Sequence, residues 1–240
     1  MRSPKDFFEE TWFYARLGEV GESLPLPENE SHHLLKVLRL RPGIRIAVTN
    51  GVGKVFLCDT QLLGKDLVVE AVDMIREEPM PPKVSMVLAL LKGKDTEDPV
   101  EALCQLNLAA IHLVTTDHTQ EFKGQDHSRL VERLRVKSLV ALKQAKKAWL
   151  TEIHPPKPLK EWRSAQPGNL VVVHPGEDNL PEESGQDLFL LTGPEGGFSP
   201  YELSWLNKDG NYRLGLGGTR IKGAHAPLLA CGKLMGMGRL

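Results

Sequence analysis

The pattern of hydrophobic and polar positions changes at about residue 80. Before that point, apolar residues form short runs rich in β-branched side chains, and turns that contain glycine separate these runs. Such runs predict short strands, so we expect a small β-barrel or sandwich. The strands are predicted at 44–48, 54–58 and 67–72, after a short helix at 33–38.

Beyond residue 83, apolar runs alternate with longer segments of helical period. Strands are predicted at 84–91, 111–115, 170–174, 188–192 and 212–216. Helices are predicted at 97–108, 128–149, 200–207 and 225–235. Strands that alternate with helices predict an α/β domain with a mostly parallel sheet, covered by helices on both faces.

A proline-rich segment, EEPMPP at 77–82, separates the two patterns. Three prolines in four residues favour a stiff, extended connection over a helix or a central strand. The sequence therefore predicts two domains, at 1–76 and 83–240.

Composition excludes several classes of protein. The 240 residues are 41% hydrophobic and 25% charged, which is typical of a globular protein with a real core. The formal net charge of −1 means that any nucleic-acid surface must be local. The three cysteines form no C-x-x-C pair, and no apolar run has the length of a membrane span, so we expect a cytoplasmic protein without a metal site.

The stretch LLTGPEGGFSPYE at 190–202 passes from a buried strand through three glycines into a helix start. Ser199 and Glu202 have the spacing of a capping box, with Pro200 at the first helical position. Missing side chains allow a ligand to approach the backbone, at the strand end where open α/β folds bind ligands. A tight turn without a ligand is the alternative. A P-loop and a dinucleotide fingerprint are both excluded by the spacing of the glycines.

A second glycine-rich turn, LGLGGTRIKGAHA at 214–226, follows the next predicted strand. If the two strands were neighbours in a parallel sheet, the two turns would lie side by side. We expect them to form one pocket that is walled by backbone.

This pair of turns resembles the motifs of the SPOUT methyltransferases, which contain a deep trefoil knot. The chain is more closely similar to the bacterial small-subunit ribosomal RNA uridine-N3 methyltransferases of the RsmE type. The segment HLLKVLR at 33–39 followed by Gly43, and Gln144 in the long helix, also resemble that family. The resemblance spans nearly the whole chain, and GPEGGF is its most specific motif.

The resemblance implies an N-terminal PUA-like β-barrel that binds RNA and a knotted C-terminal α/β domain that binds S-adenosylmethionine and forms a homodimer. It implies a function in methylating N3 of a uridine in 16S ribosomal RNA. The residues that would bind the cofactor, mostly through backbone groups, are Leu191, Gly193, Pro194, Gly196, Gly197, Leu216, Gly217 and Ile221.

The last motif departs from the family pattern, which is similar to L-G-x-x-I-L-R-x-E-T-A. The family's Ile is here Arg220, its Arg is Lys222, its Glu is Ala224 and its Thr is His225. Replacing Arg by Lys loses a bidentate hydrogen-bonding fork. An RNA-binding relative without activity, or a methyltransferase for another RNA site, therefore stays open as an alternative.

Methylation at uracil N3 requires a base or a positive environment, because the nitrogen must lose its proton before it attacks the methyl group. The candidate bases are Glu195 and His225, and Arg220 or Lys222 could stabilise the developing charge. Alternatively, Glu195 holds its own turn together by accepting backbone hydrogen bonds. His225 could equally be a helix N-terminal residue without a role.

Two basic stretches are candidates for RNA contact. Lys36, Arg39, Arg41 and Arg45 lie within ten residues that contain no acidic residue. The long helix is also rich in Lys and Arg, although a solvated helix face explains that composition equally well. We expect the first cluster to bind phosphates of ribosomal RNA, because it lies in the presumed RNA-binding domain.

Overall fold

The computed structural model describes residues 11–80, 83–92, 95–122, 124–166, 168–174, 176–182, 187–208, 210–219 and 221–240. The described chain forms two compact units. The first takes the described residues up to position 80 together with Leu139–Leu150, and the second takes the rest. The division by sequence pattern differs from this one in residues 139–150, which it groups with the C-terminal domain.

The first unit contains a five-stranded sheet of order β1-β3-β4-β5-β2. Its strands are β1 (Trp12–Tyr14), β2 (Ser23–Pro25), β3 (Arg45–Thr49), β4 (Lys54–Leu63) and β5 (Asp66–Glu77). Strands β1 and β3 run parallel, and the other neighbours are antiparallel. A helix, α1 (Glu28–His32), continues directly into a π-helical turn at His33–Val37, earlier than the helix predicted at 33–38.

Both faces of β3 are buried, which explains its continuous apolar run. Ile46 and Val48 face one core, which also contains Phe56. Because side chains alternate along a strand, Ala47 faces the other way, toward a second cluster. That cluster consists of Trp12, Ala47, Val55, Ala148 and Trp149. Residues 139–150 thus belong to the first unit because they cover this second face.

The second unit contains a six-stranded sheet of order β11-β9-β10-β6-β7-β8, in which every pair of neighbours is parallel. Its strands are β6 (Val84–Ala89), β7 (Ala110–Thr115), β8 (Glu152–Pro158), β9 (Asn169–His174), β10 (Leu188–Thr192) and β11 (Tyr212–Gly215). Its helices are α2 (Glu97–Leu103), α4 (Leu159–Ala165), α5 (Pro200–Leu206) and α6 (Ala226–Gly236), with a 3₁₀ segment at Asp117–Phe122. The long helix α3 (Ser128–Gln144) belongs to this unit up to Ser138 and to the first unit from Leu139 onward. The predicted α/β class with a parallel sheet is therefore confirmed.

Some predicted boundaries are wrong. Helix α2 ends at Leu103 rather than 108, and α3 ends at Gln144 rather than 149, two residues before Lys146 takes a left-handed backbone conformation at φ 52°. Strand β8 has no counterpart in the prediction because its sequence, EIHPPKP, contains three prolines. It lies at the edge of the sheet, where a residue without an N–H can be tolerated.

The strand order also corrects the expected adjacency of the two glycine turns. Strand β9 lies between β10 and β11, so the turns that follow β10 and β11 are not neighbours. All three strands are parallel, however, and their carboxyl ends meet at one edge of the sheet. The turns therefore flank the end of β9.

Two further features concern the described residues as a whole. No helix among them combines the length and the apolar character that a membrane span requires. The three cysteines, Cys58, Cys104 and Cys231, are buried free thiols. Burial raises the pKa of Cys58 and of Cys231 to about 12, so these thiols stay protonated and unreactive.

Candidate functional site

A cavity of about 600 Å³ lies at the carboxyl ends of β9, β10 and β11. Strand β9 contributes Val173 and His174, and the first glycine turn contributes 193–198. The second glycine turn contributes Leu216, Gly218, Thr219, Ile221, Gly223 and Ala226, and Leu203 is the remaining lining residue. Three segments that are distant in sequence thus form one pocket.

Most of the residues predicted to bind the cofactor line this cavity. They are Gly193, Pro194, Gly196, Gly197, Leu216 and Ile221. Leu191 is instead fully buried in β10, and Gly217 pairs with Gly176 in an isolated bridge. Gly217 has φ 90°, a conformation that favours glycine regardless of any ligand.

The end of the first turn is fixed by the predicted capping box. The Glu202 N–H donates to Ser199 Oγ at 3.1 Å, and the Ser199 N–H donates back to Glu202 Oε2 at 2.9 Å. These bonds satisfy two amides that a helix start leaves without partners. The capping box thereby fixes where α5 begins and where the turn ends.

Residues of the segment after β7 form hydrogen bonds with the same turn. His118 Nδ1 lies 3.0 Å from the carbonyl oxygen of Gly196 and 2.9 Å from that of Gly197. Because both partners are acceptors, Nδ1 must carry the proton and donate it. The neighbouring Asp117 accepts from Ser199 Oγ at 2.6 Å and donates its own N–H to Glu202 Oε1 at 2.9 Å. Sequence reasoning missed these two residues.

Ring side chains pack close to two of the glycines in the first turn. A Cβ on residue 196 would lie 3.4 Å from Cβ and from Nδ1 of His118, so a larger side chain would push the imidazole away. Gly193 is restricted in a similar way, since a Cβ there would lie 3.1 Å from the ring of Phe198. Close packing therefore disfavours any side chain at position 193, whereas at position 196 it leaves room for a Cβ in ordinary contact but not for a larger side chain.

Three charged residues lie together near the two turns. Glu195 Oε1 accepts the N–H of Lys92 at 3.1 Å, so Glu195 ties the turn to the segment that follows β6 rather than to itself. Lys222 Nζ lies 2.9 Å from Asp95 Oδ2. Hydrogen bonding to Asp95, together with the charges of Asp95, Asp98 and Glu195, raises the pKa of Lys222. Lys222 is therefore a protonated ammonium near neutral pH.

The other two predicted catalytic residues are His225 and Arg220. His225 is exposed at the start of α6, and its side chain makes no capping hydrogen bond. Arg220 lies outside the described residues.

His174, at the end of β9, was not singled out from the sequence. Its backbone oxygen accepts the N–H of Leu216 at 3.1 Å, which joins β9 to the second turn. Its Nε2 atom is buried and has no hydrogen-bond partner within the described part of the chain. An unpartnered polar atom beside a cavity is a signal that only the folded chain provides.

The basic cluster of the first unit is solvent-exposed at Lys36, Arg39 and Arg41. Arg45 is also exposed, but its Nε donates to Asp59 Oδ1 at 2.8 Å on the neighbouring strand. Such an exposed ion pair is weak and can exchange for a phosphate contact.

The cations of the long helix are used differently. Arg133 pairs with Glu97 at 2.8 Å, Lys137 with Glu101 at 2.5 Å, and Lys143 with Glu30 at 2.5 Å. Glu30 is almost fully buried, and it also accepts the Tyr14 N–H at 3.2 Å. Three cations of the long helix therefore form ion pairs with acidic residues of the same chain.

Comparisons with known proteins agree with this architecture. The family model for the RNA methyltransferase domain matches residues 77–235, and the model for the RNA methyltransferase PUA domain matches residues 26–69. The crystal structure of the ribosomal RNA small subunit methyltransferase E of Neisseria gonorrhoeae, bound to S-adenosyl methionine, superposes with a TM-score of 0.82. It is 20% identical, and the match covers 95% of this chain and 97% of that one. The likeness confirms the predicted fold, a PUA-like domain followed by an α/β domain like those of the SPOUT methyltransferases.

Two curated relatives have the same name. The ribosomal RNA small subunit methyltransferase E of a Synechocystis strain is 25% identical over 231 residues, covering 90% of this chain and 73% of the relative. The enzyme of the same name from Mycobacterium bovis is 24% identical over 234 residues, and the match covers 90% of this chain and 87% of the relative. The model for the RNA methyltransferase domain matches well over half of this chain. This chain therefore belongs to the RNA methyltransferase family.

Proposed function

We propose that this protein transfers a methyl group from S-adenosylmethionine to N3 of a uridine in the RNA of the small ribosomal subunit. The cavity formed by the GPEGG turn and the second glycine turn at the ends of β9–β11 carries this proposal. The relatives named for methylating small-subunit ribosomal RNA support the substrate, and the cofactor bound to the Neisseria relative supports the methyl donor.

The residues present fit such a cofactor. A volume of about 600 Å³ lies within the range of small-molecule sites. Leu203, Leu216 and Ile221 offer an apolar surface to a base. Within the described part of the chain, the N–H groups of Gly196 and Gly218 donate no hydrogen bond, which leaves them for a ligand.

We assign cofactor contact to the lining residues of the two turns, and to Leu191 and Gly217 a supporting position behind them. The bound cofactor would supply an electrophilic methyl group on a sulfonium. The protein's task is then to orient the uracil, to accept the N3 proton and to stabilise the charge left on the ring.

Glu195 is the best-placed candidate base among the described residues. One carboxylate oxygen accepts the Lys92 N–H, and the other has no hydrogen-bond donor in the described part of the chain, so it can take a proton. Lys222, which remains protonated, is the candidate for stabilising the uracil anion. Its pairing with Asp95 is half-exposed and weak enough to exchange for the substrate. Arg220 and His225 stay as further candidates for these roles.

Calorimetric titration with S-adenosylmethionine or S-adenosylhomocysteine tests the cofactor site. We expect one site per chain, and a stabilisation of about 2.7 kcal/mol when the ligand is at a hundredfold excess over Kd. A Cβ at Gly218 would meet no atom of the described residues within 4 Å, so Gly218→Leu should leave the fold intact and block the cavity. Gly18→Leu, at an exposed position outside the cavity, is the control. Wild-type protein that binds neither compound would refute the proposed cofactor.

The substrate is tested by mapping N3-methylated uridines in small-subunit ribosomal RNA with and without this protein. Isolated particles from cells that lack it should then accept one methyl group in a single turnover. Lys222→Ala should bind cofactor and RNA but react about a hundredfold more slowly, as is usual when one charge-stabilising donor is lost. Inactivity of the wild type on these particles, with both ligands bound, would favour an RNA-binding relative without activity.

We further propose that Lys36, Arg39, Arg41 and Arg45 contact RNA phosphates. Replacing Arg39 and Arg41 by Ala should weaken RNA binding and reduce the slope of log K against log salt by roughly 0.7 to 0.9 per lost contact. Affinity for the cofactor should be unchanged. An unaltered salt slope would argue against phosphate contacts at these positions.

A homodimer in the cytoplasm is the final part of the proposal. Leu229 and Met235 on α6 are each 50% exposed, which leaves apolar surface on this helix. We expect light scattering at micromolar concentration to give twice the chain mass, and a monomeric mass would contradict this. The three free thiols suit a reducing compartment.

A further inference from the structure

The ammonium of Lys222 has two carboxylates in its neighbourhood. Its Nζ atom lies 2.9 Å from Asp95 Oδ2. Glu195 is also near, since a Cβ on Gly223 would lie 3.7 Å from the Glu195 backbone nitrogen, and the charge of Glu195 contributes to the raised pKa of Lys222. A lysine side chain is a point charge on a flexible four-carbon stem. In this structure that charge is paired with Asp95.

Hydrogen bonds on both sides of Asp95 restrain its main chain. The Asp95 N–H donates to the carbonyl oxygen of Lys92 at 3.1 Å. The next residue, Thr96, is buried, and its Oγ1 accepts the Leu91 N–H at 2.8 Å and donates to the Leu91 carbonyl oxygen at 3.1 Å. The side chain of Asp95 is 33% exposed and that of Lys222 is 54% exposed. Asp95 is thus the better fixed partner, and Lys222 is the one that can move.

A pairing of Lys222 with Glu195 would interfere with both candidate roles. Glu195 Oε1 already accepts the Lys92 N–H, and Oε2 is the oxygen without a donor in the described part of the chain. An ammonium on Oε2 would occupy the position that is to take the N3 proton, and its charge would oppose protonation of the carboxylate. The same contact would draw Lys222 away from the uracil.

We infer that Asp95 is a positioning residue that keeps Lys222 from pairing with Glu195 before the RNA substrate binds. The inference rests on the proposed function, because it requires the roles assigned there to Lys222 and Glu195. It requires no contact between Asp95 and the reacting atoms. The pair with Asp95 is exposed, so it can exchange when the uracil arrives.

The kinetic experiment compares Asp95→Asn with Asp98→Asn in single-turnover methylation of small-subunit particles. The charge of Asp98 also acts on Lys222, but without a hydrogen bond, so Asp98→Asn controls for a general loss of negative charge. We expect Asp95→Asn to slow methyl transfer by about 2- to 5-fold, because exposed ion pairs are weak. The Kd for the cofactor and the rate of Asp98→Asn should stay at wild-type values. In a Lys222→Ala background, Asp95→Asn should have no further effect, since the two residues act together.

A second measurement uses the free protein and needs no activity. With ¹³C-labelled glutamate carboxyl groups, the NMR signal of Glu195 is assigned by its loss in Glu195→Gln. We expect Asp95→Asn to shift this signal at pH 7, because Lys222 then spends time at the Glu195 carboxylate. The shift should be absent when Lys222 is also replaced by Ala, and Asp98→Asn should leave the signal in place.

Other results would overturn the inference. A Glu195 signal that Asp95→Asn does not shift would do so, and so would an equal shift with and without Lys222. An equal fractional loss of rate in the presence and absence of Lys222 would show that Asp95 acts independently of it. Faster methylation by Asp95→Asn would show that Asp95 inhibits Lys222 instead of positioning it. If the wild type transfers no methyl group while the NMR shifts are as expected, the proposed function has failed and the placement of Lys222 by Asp95 stands.

Discussion

His112 lies on β7 in surroundings that oppose its protonation. Its ring stacks on that of His154, with centroids 4.4 Å apart and planes within 4°, and Trp162 and Phe189 pack around it. Burial lowers the pKa of His112 from 6.5 to about 4, and the positive charges of His154 and Lys157 add to the effect. The folded protein therefore keeps this histidine neutral at pH values where the unfolded chain protonates it.

This difference predicts a loss of stability in mild acid. Between pH 6.5 and pH 4 the unfolded state binds a proton that the folded state does not, so the free energy of unfolding falls as the pH falls through this range. Below pH 4 both states are protonated, and His112 contributes no further loss. His112→Phe keeps an aromatic ring but cannot titrate. Urea denaturation at pH 7, 5.5 and 4.5 should show a steeper decline for the wild type than for this variant, whereas parallel declines would contradict the assignment.

Single residues also show which parts of the site the sequence could predict. The capping box of Ser199 and Glu202 was predictable, because both partners lie within one helical turn. His118 and His174 were not, because each acts on residues far from it in sequence. The position of His174 at the wall of the cavity is defined only after the chain has folded.

At the scale of elements, the GPEGG turn is held by other elements as well as by its own backbone. Lys92, in the segment after β6, donates its N–H to Glu195, and His118, in the segment after β7, donates to two carbonyl oxygens. Such external bonds keep a glycine-rich turn in one conformation before a ligand arrives, which reduces the entropy lost on binding.

We predict that His118→Ala weakens cofactor binding without unfolding the protein. Loss of one shared neutral hydrogen bond corresponds to roughly 0.5–1.5 kcal/mol, or about a 2- to 12-fold rise in Kd. His118→Asn, which keeps a donor, is the matched variant and should lose less. Calorimetric Kd values and thermal midpoints of the three proteins provide the test. A drop in the midpoint with unchanged Kd would show that His118 supports the fold alone.

The arrangement of elements was less predictable than their type. Alternating patterns correctly indicated a parallel sheet, because buried parallel strands need apolar side chains on both faces. The position of β9 between β10 and β11 leaves no trace in local sequence, since it depends on how the chain crosses the sheet. Strand β8 was missed because its prolines hide an edge strand from any local criterion.

At the scale of the whole molecule, the first unit is discontinuous in sequence. Two hydrogen bonds join residues 139–150 to the rest of this unit. Trp149 Nε1 donates to the carbonyl oxygen of Glu78 at 3.1 Å, and the Gly53 N–H donates to the carbonyl oxygen of Ala148 at 2.9 Å. Lys143 adds its ion pair with Glu30. The proline-rich segment is thus not a place where the chain can be cut into two independent parts.

This organisation predicts the behaviour of fragments. A fragment of residues 1–80 would expose Trp12, Ala47 and Val55, which Ala148 and Trp149 cover in the intact protein. We expect it to melt with low cooperativity. The same fragment joined by a Gly/Ser linker to residues 139–150 should melt at a higher temperature in a single transition. Circular dichroism melting curves test this, and equal midpoints would show that the added segment is dispensable.

The discontinuity also sets an order of events during protein synthesis. Strand β5, the last strand of the first unit, leaves the ribosome long before residues 139–150 do. While the first part of the second unit is being translated, the nascent N-terminal sheet keeps one apolar face uncovered. During that interval the exposed apolar surface of the nascent chain is open to aggregation and to chaperone binding. Slow translation between residues 80 and 150 would lengthen it, even though every residue of the sheet has already been made.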